Sequence, residues 1–324
     1  MLHEWILMAI FFGVSLVGCC IGFKKFVWFL SIGYGFSVAA LGIAYFVMGC
    51  CYKTIDVIGV FQCLLFVLYG ARLSGFLLAR ELKNASYRKV LASATKEGEK
   101  KMPIFVLATI WIMVGVLYVG QTAPVMYRMI NGIAGTGDYK GLVGLITDRV
   151  PVSLTETAGA WKWAPGAMIL PLVGVVLSFV GLGLETLADF QKTNQKKTSP
   201  NMVATKGLYK AIRCPNYFGE ILFWTGVFVG GVTIYNSWWQ WVIAALSWVC
   251  IVYIMINGAQ RLDKRQEKNY GTSEEYRAYA DHTPLIFPLI PVSHIGIYKV
   301  EDVKAAEEKK AAKKAAKQAK KESK

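Results

Sequence analysis

FVWFLSIGYGFSVAALGIAYFVMGC, residues 26–50, contains no Asp, Glu, Lys or Arg. At 1.5 Å per residue a helix of this length exceeds the ~30 Å hydrocarbon thickness of a bilayer, so the stretch reads as a membrane crossing. The same pattern recurs on both sides of it. Apolar segments cover approximately 5–22, 26–51, 57–79, 103–120, 166–188, 217–234 and 238–257, each near the ~20 residues that a spanning helix needs. The expected fold is therefore all-α, a polytopic membrane protein with seven transmembrane helices. Composition agrees: 55% of the 324 residues are hydrophobic and 18% charged, against about 25% charged in soluble domains. The first segment follows His3 and Glu4 rather than a basic leader, and is expected to remain in the mature protein.

Alternate loops provide a test independent of hydropathy, because cytoplasmic loops hold the Lys and Arg. One side collects Lys24, Lys25, Arg80, Lys83, Arg88, Lys89, Lys96, Lys100, Lys101, Lys192, Lys196, Lys197, Lys206, Lys210, Arg213 and the basic C-terminus. The other holds only Lys53, Arg128, Lys140, Arg149 and Lys162. The asymmetry puts the N-terminus outside and the C-terminus in the cytoplasm, in a cell membrane. It also accounts for the formal net charge of +15 without nucleic acid, for which no module or interleaved aromatics are seen. The outer connection 121–165 reads as turns and an interfacial helix, with no chemistry assigned. Residues 1–298 are expected to form one seven-helix domain whose part 180–290 binds a cofactor, followed by a Lys/Ala-rich cytoplasmic tail, 299–324. Membrane lipids are its expected surroundings. The seven Cys lie in or beside apolar runs with no zinc spacing, so no metal site is expected.

Ionisable groups inside spans are costly enough to be functional candidates. They are Arg72, Glu185, Asp189 and Glu220. Glu185 and Asp189, four apart in GLGLETLADFQK, share one helix face; they are either an interfacial pair answering Lys192 or Lys196, or a polar wall for a ligand. In KGLYKAIRCPNYFGEILFW, residues 206–224, Pro215 suits a first helical position, and the free amides there lie beside Arg213 and Lys210. Asn216 and Glu220 then share a face, with Gly219 between them. Tyr69 and Arg72 lie three apart in LYGARL of the third segment.

RCPNYFGE following GLY resembles the steroid 5-alpha-reductase family and the bacterial membrane proteins that share its C-terminal domain; sterol C14-reductases carry a similar run. The likeness continues through ETLADFQK, LDKRQEKNYGTSEEYRAY and the closing IFP, covering roughly 57–290. It implies an NADPH-dependent reductase of an activated C=C bond in a lipid-like enone, with cytoplasmic cofactor and a hydrophobic small-molecule substrate entering from the bilayer. By the same resemblance, Glu185, Asp189, Lys196, Asn216, Glu220, Arg261 and Arg265 would bind NADPH, with Arg213 of the anion site at the helix start and Tyr217 counted among the cofactor contacts, and Tyr69 with Arg72 would meet the substrate carbonyl. Two departures stand out. Cys214 replaces the His of many relatives, and the early spans lack the Gln-Glu pair that meets the steroid carbonyl, so a steroid substrate does not follow. The alternative is a membrane methyltransferase of the isoprenylcysteine or phospholipid type, which uses S-adenosylmethionine and has a similar Pro-x-Tyr-x-Gly stretch.

Overall fold

The structure, a computed structural model, describes residues 2–52, 54–83, 103–131, 169–200 and 202–288. The expectations for the basic loop beyond Lys83, the outer connection beyond Asn131 and the tail 299–324 lie outside these residues. The described chain is helical, without strands. Its main helices are α1 (Leu2–Cys19), α2 (Ile32–Tyr52), α3 (Val57–Lys83), α4 (Ile104–Asn131), α5 (Ile169–Thr198), α6 (Pro215–Gly231), α7 (Trp238–Tyr270) and α8 (Glu274–His282). Six of these, α1 to α5 and α7, are long and apolar enough to cross a bilayer, which makes this a multi-pass membrane protein. The sixth expected crossing is α6, whose 17 residues fall at the short end of the spanning range.

The chain divides into two compact units, residues 1–182 with 222–251, and residues 183–221 with 252–324. Within the first unit, helices approach through small residues, as expected where lipid removes the hydrophobic drive for association. A Cβ on Gly70 would lie 2.1 Å from the Gly35 carbonyl, and one on Gly35 2.3 Å from Ser74 Oγ, so α2 and α3 touch almost backbone to backbone. The α5 and α6 contact repeats the device with Gly174 and Ser178 against Gly226 and Gly230. Hydroxyls then bond across the helices: Ser74 donates to Ile32 O (2.8 Å), Ser178 to Phe223 O (2.9 Å) and Ser37 to Ser15 O (2.9 Å). Leu64, Met113, Phe179 and Leu246 face outward and exposed, the arrangement expected of a lipid-facing surface.

One feature of the first unit corrects the sequence reading. Arg128, assigned above to an outer loop, belongs to α4, which continues through Pro124 to Asn131. It is only 3% exposed. Its Nη1 donates to Asp56 Oδ2 (2.7 Å) and its Nη2 to Gly230 O (2.9 Å). An isolated guanidinium could not be buried so; the carboxylate and carbonyl offset its desolvation. Asp56 also caps α3, accepting from Gly59 N at 2.7 Å, the bond an Asp N-cap makes. Arg72 is by comparison half-buried.

Candidate functional site

Within the second unit, the GLY-RCPNYFGE run is held by side chains that satisfy its backbone. Gln195 Oε1 accepts from Thr205 N and Lys206 N, both at 2.9 Å, and Gln191 Oε1 accepts from Leu208 N at 2.9 Å. Between them Gly207 has φ +68°, and a Cβ there would lie 2.4 Å from Gln191 Oε1. Only glycine fits both the left-handed backbone and the contact. Downstream, Arg213 N donates to Pro284 O (2.8 Å) and Cys214 N to Leu285 O (2.9 Å), which ties the run to the segment closing in IFP. Arg213 adds Nε to Thr283 O (3.0 Å) and an ion pair with Asp263. Pro215 then opens α6 as its first residue, where a missing N–H costs nothing.

This scaffold frames a cavity of about 270 Å³ lined by Lys192, Lys196, Tyr209, Arg213, Arg265 and Tyr279, among others. Among the described residues four cations and no carboxylate line it; Asp263, outside the lining, neutralises Arg213. Lys196 is also anchored, donating to Pro200 O at 3.2 Å, Met202 O and Tyr270 OH at 3.1 Å. Arg265 is exposed at the rim. Tyr209 donates to Ala188 O (3.3 Å), and its own carbonyl accepts from Tyr279 OH (2.7 Å). Burial, reinforced by the Asp189 carboxylate, pushes the Tyr209 phenol above its ordinary range, so it remains a neutral donor.

The structure thus brings Lys196, Arg213 and Arg265 together around one cavity, with Lys192 added. A second group gathers about Tyr217, whose hydroxyl lies within electrostatic reach of Glu220, Arg261 and Asp189. The Tyr217 ring packs where Gly258 leaves room; a Cβ there would meet Tyr217 Cε1 at 2.9 Å. Glu185 and Glu220 are 4% and 8% exposed. Asn216 presents a buried Oδ1 with no hydrogen-bond partner among the described residues, an acceptor in need of a donor. Cys214, at the place of the relatives' His, packs with Ile221, Ala259, Leu285 and Ile286. Burial pushes its thiol up to about 12, which makes it a packing residue rather than a nucleophile.

Tyr69 and Arg72 lie on α3 in the first unit. Tyr69 is fully buried. Its ring stacks on Phe223 (centroids 4.6 Å apart) and meets Trp224 (5.6 Å) and Tyr34 (5.7 Å) edge-on. Phe66, one turn away, lies 6.0 Å from Trp224. These rings form a flat-walled aromatic cluster. Among the described residues no group of three or more His, Cys, Asp or Glu is placed to hold a metal.

Asp56, Arg128, Tyr209, Asp263 and Tyr279 were not among the candidates read from sequence. Asp56 had a signal, an Asp three residues before Gly59 at the start of an apolar run. Asp263 and Tyr279 had none, because their partners, Arg213 and the Tyr209 carbonyl, are 50 and 70 residues away. Neither the curated proteins nor the solved structures include a match to the chain. The sequence profile described as Protein of unknown function (DUF1295) matches residues 20–283, and the chain therefore belongs to that family.

Proposed function

We propose that the protein is an NADPH-dependent reductase of an activated C=C bond in a lipid-like enone, drawing cofactor from the cytoplasm and substrate from the bilayer. The observation that carries this reading is the cavity of the second unit, where Lys192, Lys196, Arg213 and Arg265 converge without a lining carboxylate. Such a lining favours phosphate, through charge-assisted hydrogen bonds and field, and disfavours the sulfonium of S-adenosylmethionine. Its volume of about 270 Å³ is below the ~300–1,000 Å³ of pockets that enclose a whole ligand, so it suits one phosphorylated end of a dinucleotide. Asn216 Oδ1 offers an acceptor for a hydroxyl or amide of the same cofactor, and the buried Glu185 and Glu220 suit ribose hydroxyls. The sequence resemblance and the relation of this family to the steroid 5-alpha-reductases point the same way.

NADPH when bound supplies a hydride to the β carbon of the enone, and negative charge then develops on the carbonyl oxygen. The chain's part is to meet that oxygen with a donor in a dry site. Tyr69, buried among aromatic rings, is the proposed donor, with Arg72 one turn along the same face as its electrostatic support. Seven crossings, with α6 as the sixth, an outer N-terminus and a cytoplasmic C-terminus in the cell membrane complete the reading.

Arg265 tests the cavity directly, because it is exposed at the rim and its replacement leaves packing intact. Arg265→Glu is expected to weaken NADPH binding by at least about tenfold, the scale of a lost bond to a charged group, without lowering thermal stability. Unchanged affinity in titrations of the purified variant would remove the cavity from the cofactor site.

A further inference from the structure

Three buried polar atoms meet around Gly230 in the first unit, and none has a hydrogen-bond partner among the described residues. Gln62 is 1% exposed, and both its Oε1 and its Nε2 are unpartnered. Its Nε2 lies where a Cβ on Gly230 would come within 2.4 Å. Arg128 donates from Nη2 to the Gly230 carbonyl (2.9 Å), while its Nε, also buried, is unpartnered. Orphaned donors and acceptors in a membrane interior are costly, and native interiors keep few of them. Three at one place call for a further group, which none of the described residues supplies.

The chemistry of that group follows from what faces it. Arg128 is neutralised by Asp56, so an anion would bring uncompensated charge. Gln62 Nε2 and Arg128 Nε need an acceptor, and Gln62 Oε1 needs a donor. A hydroxyl serves as both; a ketone leaves Oε1 unmet. Position along α3 adds a length. Gln62 precedes Tyr69 by seven residues, two turns on the same face and about 10 Å along the axis. Phe66 lies between them, also fully buried and against Trp224.

We propose that Gln62 and Arg128, meeting at Gly230, form a second polar subsite that binds a neutral hydroxyl on the hydrophobic substrate, about 10 Å from the carbonyl held by Tyr69. The length rests on the enone-reductase reading of Tyr69; the hydroxyl preference does not. Gln62 sets specificity and does not touch the reacting atoms. Because the rings of the cluster pack on one another, ligand binding requires them to swing apart.

The test uses two rigid probes of suitable length, androst-4-en-3-one and its 17β-hydroxy derivative, each radiolabelled and titrated against the full-length detergent-purified protein. The hydroxylated probe is expected to bind about tenfold or more tightly than its deoxy counterpart, the scale set by leaving buried polar atoms unmet. In Gln62→Met the ratio should fall close to one. The melting temperature of Gln62→Met should equal or exceed that of the unaltered protein, since the substitution deletes two orphaned atoms at nearly constant volume. Equal binding of the probes to the unaltered protein, no binding of either, a ratio that survives in Gln62→Met, or a marked fall in its melting temperature would each overturn the proposal. NADPH binding on the same preparation separates the two readings. Bound NADPH without probe discrimination defeats the subsite alone, whereas discrimination without NADPH binding defeats the reductase reading and leaves the subsite standing.

Discussion

Tyr69 is the residue on which the proposed chemistry turns. Its surroundings are rings: Phe223 at 4.6 Å, Trp224 at 5.6 Å and Tyr34 at 5.7 Å between centroids. Removing only its hydroxyl preserves that packing, so Tyr69→Phe isolates the donor. If Tyr69 acts chiefly on the developing enolate, turnover of an enone substrate should fall about 100-fold or more while NADPH binding is unchanged. Turnover close to that of the unaltered enzyme would transfer the role to another group. In the sequence Tyr69 is paired with Arg72, an ionisable residue within a span. Arg128 is the more deeply buried one, and sequence could not show it, because its burial depends on Asp56, 72 residues away. Tyr69 therefore stands on its aromatic enclosure and its position on α3.

At the scale of elements, the turn entering the 207–213 segment shows how local chemistry holds the cavity. Gly207 is in the left-handed region at φ +68° and in contact with Gln191, whose carboxamide accepts from Leu208 N. Gly207→Ala imposes both a strained backbone and a clash, and is expected to cost roughly 1–3 kcal/mol of stability. Thermal unfolding would measure it, and an unchanged midpoint would contradict this account of the turn. The membrane helices themselves were legible from charge-free runs, since lipid admits few alternatives to a helix. Their ends were less so. α4 was expected to finish near 120 and extends to Asn131, and α5 was expected to finish near 188 and extends to Thr198. Polar side chains in both overruns reach distant partners: Asn131 Nδ2 donates to Ile234 O (3.0 Å) and Gln240 Oε1 (2.8 Å), while Gln191 and Gln195 bond the 205–208 backbone. Hydropathy falls where Gln121, Thr122, Arg128 and Asn131 enter the run; α4 continues, with Arg128 bonded to Asp56 and Asn131 to Gln240.

For the whole molecule, the candidate site was partly legible. Lys196, Arg213 and Arg265 were named from a resemblance, and they do line one cavity. What sequence missed was that Arg213 is committed to Asp263 and Thr283, and that Lys196 is anchored to backbone carbonyls. Both thus have structural duties beside any phosphate, whereas Arg265 is exposed at the rim. The proposed orientation follows from the same distribution of charge. With seven crossings and an outer N-terminus, a reporter fused after Lys324 should be active only in the cytoplasm; activity only on the other side would reverse the assignment of the cofactor face.

Equilibrium binding decides the cofactor class most directly. Radiolabelled NADPH and radiolabelled S-adenosylmethionine would each be titrated against the full-length detergent-purified protein under the same conditions. A basic cavity without lining carboxylates predicts saturable binding of NADPH and none of S-adenosylmethionine. Saturable binding of S-adenosylmethionine with no binding of NADPH would contradict the reductase reading and establish the methyltransferase alternative in its place.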